Sequence, residues 1–178
     1  MEKAIEKRLN EFIKVGTKAT DTALEKVYLV TEKQDADKVF KKALAGEQIT
    51  EADAEIFKGY LTYFLTKEFY KANLALEIHL GARRNNNTKM FNLIGPDTGY
   101  DSINEDNTTE NLSRLMDRLE SENSLPRILL FNLNKKMNTE LLTLMGCFQD
   151  SSAKGKIQYG PAWWFLDNKV GIENHLRD

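Results

Sequence analysis

The residues best suited to chemistry are few and spread along the chain: Asp21, His79, Arg83, Arg84, the run Asn85-Asn86-Asn87, Asn132, Asn134, and the pair Trp163/Trp164. Each falls at or near the end of a predicted strand or opens the loop after one, where α/β folds gather their functional groups. An arginine there can clamp a carboxylate bidentately, and amides can hydrogen-bond hydroxyls. A histidine can move a proton, and tryptophans can edge the pocket. Together they suit a small anionic polyol. Each also has a plain structural role open to it. A lone histidine can simply hydrogen-bond a strand end. Consecutive asparagines satisfy turn backbone, and paired tryptophans fill cores.

The elements that position these residues follow from periodicity. Ile5, Leu9, Phe12 and Ile13 predict a first amphipathic helix ending near Gly16. The segment around Thr20-Asp21 reads as a loop or short strand, and Val27–Thr31 as a strand end or packed loop. A helix is expected over 34–45, with a longer one to about Asn73. The longer one is opened by a capping box at Thr50-Glu51-Ala52-Asp53 and carries Ile56, Tyr60, Tyr63, Phe64 and Tyr70 on its apolar face. Leu74 to Leu80 fits a strand buried on both faces. Residues 81–108 read as a long polar loop. Asn107 and Glu110 form a second capping box, for a helix to about Asn123. Then come a strand over Arg127–Leu133, a helix 139–148 capped by Asn138, a strand 156–160 and a last helix 167–176. The alternation gives an α/β fold with a parallel sheet in one domain, 1–178. It leaves open a doubly wound sheet or a partial (β/α)8 barrel, since a whole barrel takes about 250 residues. In an arc of that barrel Ile78, Leu80, Leu130 and Ile157 are the expected inward side chains. Open edges would favour self-association or cover by residues 27–72, so a homo-oligomer is allowed.

Composition removes several classes of function. Lysine plus arginine total 25 against 27 acidic residues, a net charge of −2. No basic block exists, which argues against nucleic-acid binding and an anionic-membrane role. No apolar run reaches the roughly 18–20 residues of a bilayer span. The N-terminus is amphipathic with both charges rather than a secretory signal, so a cytoplasmic setting is expected. The single cysteine, Cys147, excludes an internal disulfide. Its neighbours Leu142, Leu144, Met145 and Phe148 predict a buried thiol. With two histidines, His79 and His175, no multi-histidine zinc cage is available within the chain. No Gly-rich phosphate loop or nucleophile elbow is present.

Two long stretches carry a family resemblance. Glu77-Ile78-His79-Leu80-Gly81-Ala82-Arg83-Arg84-Asn85-Asn86-Asn87-Thr88-Lys89-Met90-Phe91, continued by Leu93-Ile94-Gly95-Pro96-Asp97-Thr98-Gly99-Tyr100-Asp101-Ser102-Ile103, resembles the signature stretch of uronate isomerases. Gly155–Phe165 is similar to that family's paired-tryptophan motif. The resemblance implies an amidohydrolase-like (β/α)8 barrel, of which this chain matches strands four to seven. It also implies aldose–ketose isomerisation of D-glucuronate to D-fructuronate, or D-galacturonate to D-tagaturonate, in bacterial hexuronate catabolism. Asp21 and His79 carry over as catalytic residues, and Arg84, Trp163 and Trp164 as substrate-binding ones. The family's His-x-His and Asp-x-Arg motifs have no counterpart here. The resemblance therefore implies no cofactor in this chain, zinc or another divalent metal belonging to the complete enzyme, and a fragment inactive alone. Where the family reads Ser-Asp-His this chain has Thr20-Asp21-Thr22. The competing reading is a sugar-acid-binding or purely structural partial barrel.

Overall fold

The structure, a computed structural model, describes residues 1–104 and 108–177. Helix α1 (Glu2–Lys14) leads into strand β1 (Ala19–Ala23), followed by helices α2 (Lys33–Leu44) and α3 (Glu51–Lys71). Strand β2 (Ala75–Leu80) comes next, then β3 (Ala82–Arg83), α4 (Thr88–Ile94), β4 (Ser102–Ile103) and α5 (Thr108–Ser121). The chain finishes with β5 (Ile128–Asn132), α6 (Asn138–Gly146), β6 (Ile157–Tyr159) and α7 (Lys169–Arg177). Four strands form one parallel sheet in the order β1-β2-β5-β6, while β3 and β4 pair antiparallel. The parallel order does not reverse, so among the described residues there is no topological switch point of a doubly wound sheet. The sheet is an arc of a barrel with its helices on one side, and Val27–Thr31 is a packed loop.

Burial in β2 and β5 alternates, which decides the faces. Leu76, Ile78 and Leu80 of β2, Ile128 and Leu130 of β5, and Ile157 of β6 are buried with Leu112, Leu115, Met116 and Leu119 of α5 and Leu141 and Met145 of α6. Each such side chain stabilises the fold by about 1.5–3 kcal/mol relative to exposure. Ile78, Leu80, Leu130 and Ile157 therefore face the helical layer, not the barrel interior as expected. The concave face carries the alternate residues Asp21, Glu77, His79, Leu129 and Phe131. Strand β2 is thus buried on one face and half-covered on the other.

Other expectations are refined. The Thr50–Asp53 capping box opens α3, with each partner bonded to the other's backbone. The hydrogen bond from Lys42, with those from Thr50, holds the Asp53 carboxyl at about 2. Lys67 and Tyr63 similarly hold Glu122 at about 2, tying α3 to the end of α5. The Asn107 cap lies outside the described residues. Asn138 does not cap α6. Met137 stands there, and Asn138 is buried, its Oδ1 accepting from Asn132 and from Tyr159. Cys147 is exposed rather than buried, because it is the residue that ends α6 while Leu141 and Met145 take the core side.

Within the expected loop 81–108, the described residues 81–104 are not structureless. They hold β3, α4 and β4, pinned by Asp101, which accepts from the Asn85 amide at 2.8 Å and from Arg84 at 3.0 Å. The asparagines serve the backbone. Asn86 binds the Arg83 and Tyr100 carbonyls, and Asn87 caps α4. Asn132 and Asn134 bond to each other and to neighbouring turns.

Candidate active site

Sheet register sets the site. Asp21 and His79 lie on adjacent parallel strands, with Asp21 opposite Glu77 and Ala23 opposite His79. Both side chains emerge on the concave face, and Asp21 Oδ1 lies 2.7 Å from His79 Nδ1. A carboxylate only accepts, so Nδ1 carries the proton, and in the neutral imidazole Nε2 presents a lone pair. Nε2 has no partner among the described residues. The imidazole is 17% exposed and Asp21 66%, so the pair opens towards solvent on the carboxylate side.

Aromatic rings fix the imidazole plane. Phe131, paired with His79 in the next strand, stacks on it at 4.6 Å and 11°. Trp163 meets it edge-on at 4.5 Å and 76°. From Trp163 the cluster continues to Trp164 at 5.7 Å, and the Arg84 guanidinium sits 4.6 Å above the Trp164 ring. Arg84 Nη1 is held by Asp101, whose side chain is 5% exposed, and more loosely by Asp97 at 3.5 Å. Its other nitrogens have no partner among the described residues, which leaves an edge of the fork for a carboxylate. Trp163 Nε1 is buried without an acceptor. Such an orphan donor costs about 1–3 kcal/mol unless something accepts from it.

The five residues singled out by sequence, Asp21, His79, Arg84, Trp163 and Trp164, thus lie in one continuous cluster built by β1, β2, the loop after β2, and the segment after β6. Arg83, Asn132 and Asn134 lie outside it. Asp21 sits mid-strand rather than at the strand end. Sequence reasoning missed Phe131 and Asp101. Alternation from the flagged Asn132 would have placed Phe131 on the His79 face. The same alternation turns Thr22 away from His79, into a groove lined by Lys58, Leu61 and Leu65 of α3.

Among the described residues no three His, Cys, Asp or Glu side chains converge. His79 and Asp21 alone are too few donors for a metal site there. Among the described residues no helix is long and apolar enough to cross a membrane.

A sequence model of glucuronate isomerase matches residues 1–178. The chain is 47% identical over 175 residues to a uronate isomerase of Caldanaerobacter subterraneus subsp. tengcongensis, covering 98% of this chain and 38% of that one. It is 45% identical to that of Caldicellulosiruptor saccharolyticus, over 98% of this chain and 38% of the relative. The crystal structure of uronate isomerase from Thermotoga maritima superposes with a TM-score of 0.87 at 25% identity, over 99% of this chain and 38% of that chain. Glucuronate isomerase from Caulobacter crescentus gives 0.84 at 26%, over 99% and 36%. The chain spans about two fifths of the length of the curated relatives it matches.

Proposed function

The chain belongs to the glucuronate isomerase family, and from that premise we propose that it supplies one wall of a site interconverting the aldose and ketose forms of a uronic acid such as D-glucuronate or D-galacturonate. The observation carrying this reading is the Asp21–His79 pair at 2.7 Å on the concave face, with Nε2 of His79 left without a partner among the described residues. Isomerisation of the open-chain sugar moves a proton from C2 to C1 and one from O2 to O1, with no external oxidant or reductant. His79 Nε2 takes the C2 proton and returns it at C1. Asp21 holds the imidazole in the tautomer this needs and balances the imidazolium that forms. The free edge of Arg84 binds the carboxylate, and Asp101 behind it keeps the guanidinium in place. Trp163, packed on the edge of the imidazole, keeps water from the enediolate, while Trp164 supports Arg84.

The sheet leaves the outer edges of β1 and β6 unpaired within the described residues, and the concave face has no opposite wall. Turnover therefore requires the segments that complete the barrel in full-length relatives, any divalent ion being held by residues outside those described. The test is a graft in which these 178 residues replace the matching segment of the 47%-identical relative. The graft is expected to isomerise D-glucuronate, and the 178-residue chain alone is not. Turnover by the chain alone, or a folded graft without activity, would refute the proposal. The same family membership supports a bacterial, cytoplasmic setting.

A further inference from the structure

Arg84 is carried by an arm, β3–α4–β4, whose two feet stand on the turn after β5. The first foot is Gly81. Its φ of +84° is a conformation that L side chains rarely adopt, and a Cβ there would lie 3.0 Å from the Asn134 amide nitrogen and 3.2 Å from Asn132 Oδ1. The second foot is Asn104, whose amide donates to the Gly81 carbonyl at 2.8 Å and closes the arm at its base. The Asn104 carbonyl accepts from Asn134 Nδ2 at 2.8 Å, thirty residues further along the chain. The turn that grips the arm is itself held. Asn132 is fully buried and Asn134 nearly so. Asn132 accepts from the Asn134 amide at 3.1 Å and donates to the Asn134 carbonyl at 2.7 Å. Asn134 Oδ1 accepts from the Lys136 amide at 3.1 Å, which turns Nδ2 towards Asn104. Buried amides bonded in this way resist displacement, since breaking a bond leaves an unpaired polar group out of water.

Arg84 lies three residues beyond Gly81, and Asp101 three residues before Asn104. Between them β3 pairs with β4, and Asp101 holds Arg84 Nη1 at 3.0 Å. A shift at the base therefore moves the guanidinium and its carboxylate partner together. We propose that Asn134 is a positioning residue for Arg84: through the Asn104 carbonyl it fixes the base of the arm, and with it the place where the free edge of the guanidinium meets the substrate carboxylate. The inference rests on the reading of Arg84 as the carboxylate-binding residue and adds what sets its position. It is independent of which group moves the carbon-bound proton. The carboxylate stands at the far end of the sugar from C1 and C2 and is bound alike in ground and transition states. A displaced Arg84 therefore costs affinity rather than turnover.

The test is Asn134→Asp, which keeps the size of the side chain and the acceptor for Lys136 but has no donor for Asn104. In the graft it is expected to raise KM for D-glucuronate by about tenfold, the scale of one hydrogen bond lost from binding, with kcat little changed. With Arg84→Gln already in place, the same substitution should add nothing to KM, because both act through one contact. In the 178-residue chain, Asn134→Asp should shift tryptophan emission as the guanidinium leaves its place 4.6 Å above the Trp164 ring. No such shift is expected in the Arg84→Gln background. An unchanged KM in a folded Asn134→Asp graft, or a KM increase that multiplies with that of Arg84→Gln, would overturn the inference. So would a lowered Tm with neither KM nor emission moved, which is the mark of a residue that only stabilises its turn. If Asn134→Asp does not fold, Asn134→Ser, which loses the reach to Asn104 without burying a charge, decides the question by the same measurements. A graft whose KM is unmoved by Arg84→Gln itself would instead defeat the carboxylate role of Arg84 in the proposed function, so the two failures are separable.

Discussion

Replacing His79 by Asn in the grafted, full-length protein is expected to lower kcat by about 100- to 10,000-fold, the range a positioned acid or base contributes. Asparagine can still donate to Asp21 from its amide, so the 2.7 Å contact on the Nδ1 side has a substitute. The group lost is Nε2, the nitrogen with no partner among the described residues. KM should change little, because Arg84 carries the contact to the substrate carboxylate. A fall in kcat and kcat/KM together marks an interaction made in the transition state. Near wild-type turnover in a folded variant would return His79 to a structural role, holding β1 to β2 through Asp21.

Gly59→Ala is expected to destabilise the fold by about 3 kcal/mol or more, the upper end of overpacking costs. On an exposed helix the same change would stabilise by roughly 1 kcal/mol. Here a Cβ would stand 2.0 Å from the Leu29 carbonyl oxygen and 3.4 Å from Thr31 Oγ1. The loop after β1 lies directly on α3 at this point, and Thr31 donates to the Ile56 carbonyl at 2.6 Å. That loop cannot move away cheaply. It carries the fully buried Val27, whose carbonyl accepts from Asn111 of α5 at 2.8 Å. A loss of this size lowers the melting temperature by roughly 6–12 °C in a protein of this length. An unchanged or raised Tm would show that α3 and the loop separate more easily than their contacts indicate.

Much of the fold was legible because its elements announce themselves locally. The apolar stretches at β2 and β5, the helix stop near Gly16 and the Thr50 capping box placed most elements within a few residues. What failed depended on tertiary context. Run together, Leu74 to Leu80 look uniformly apolar, which hides that Glu77 and His79 define the concave side. Ile78 and Leu80 were thereby assigned to the wrong face. The elements inside 81–104 were invisible because Asp101, distant in sequence, holds Arg84 and Asn85. Cys147 has apolar neighbours, but the helix end turns it outward.

The site itself was readable from residue types at strand ends and from the long family-like stretches. Phe131 was not. Its ring stacks on the imidazole, and a phenylalanine carries no chemical signal for that. Asp101 escaped notice for a related reason. A carboxylate that neutralises and orients an arginine looks in sequence like any loop aspartate.

The account stands most directly on whether this cluster binds a uronic acid, and tryptophan fluorescence reads that question without interference. The sequence has two tryptophans, and both belong to the cluster, Trp163 against His79 and Trp164 beneath Arg84. Titration of D-glucuronate into the 178-residue chain is expected to give a saturable change in emission, with a dissociation constant on the order of millimolar because one wall of the site is present. D-Glucose, which lacks the carboxylate, should give a much weaker response, and Arg84→Gln should remove the difference between the two sugars. Equal, non-saturating responses to glucuronate and glucose would contradict the account.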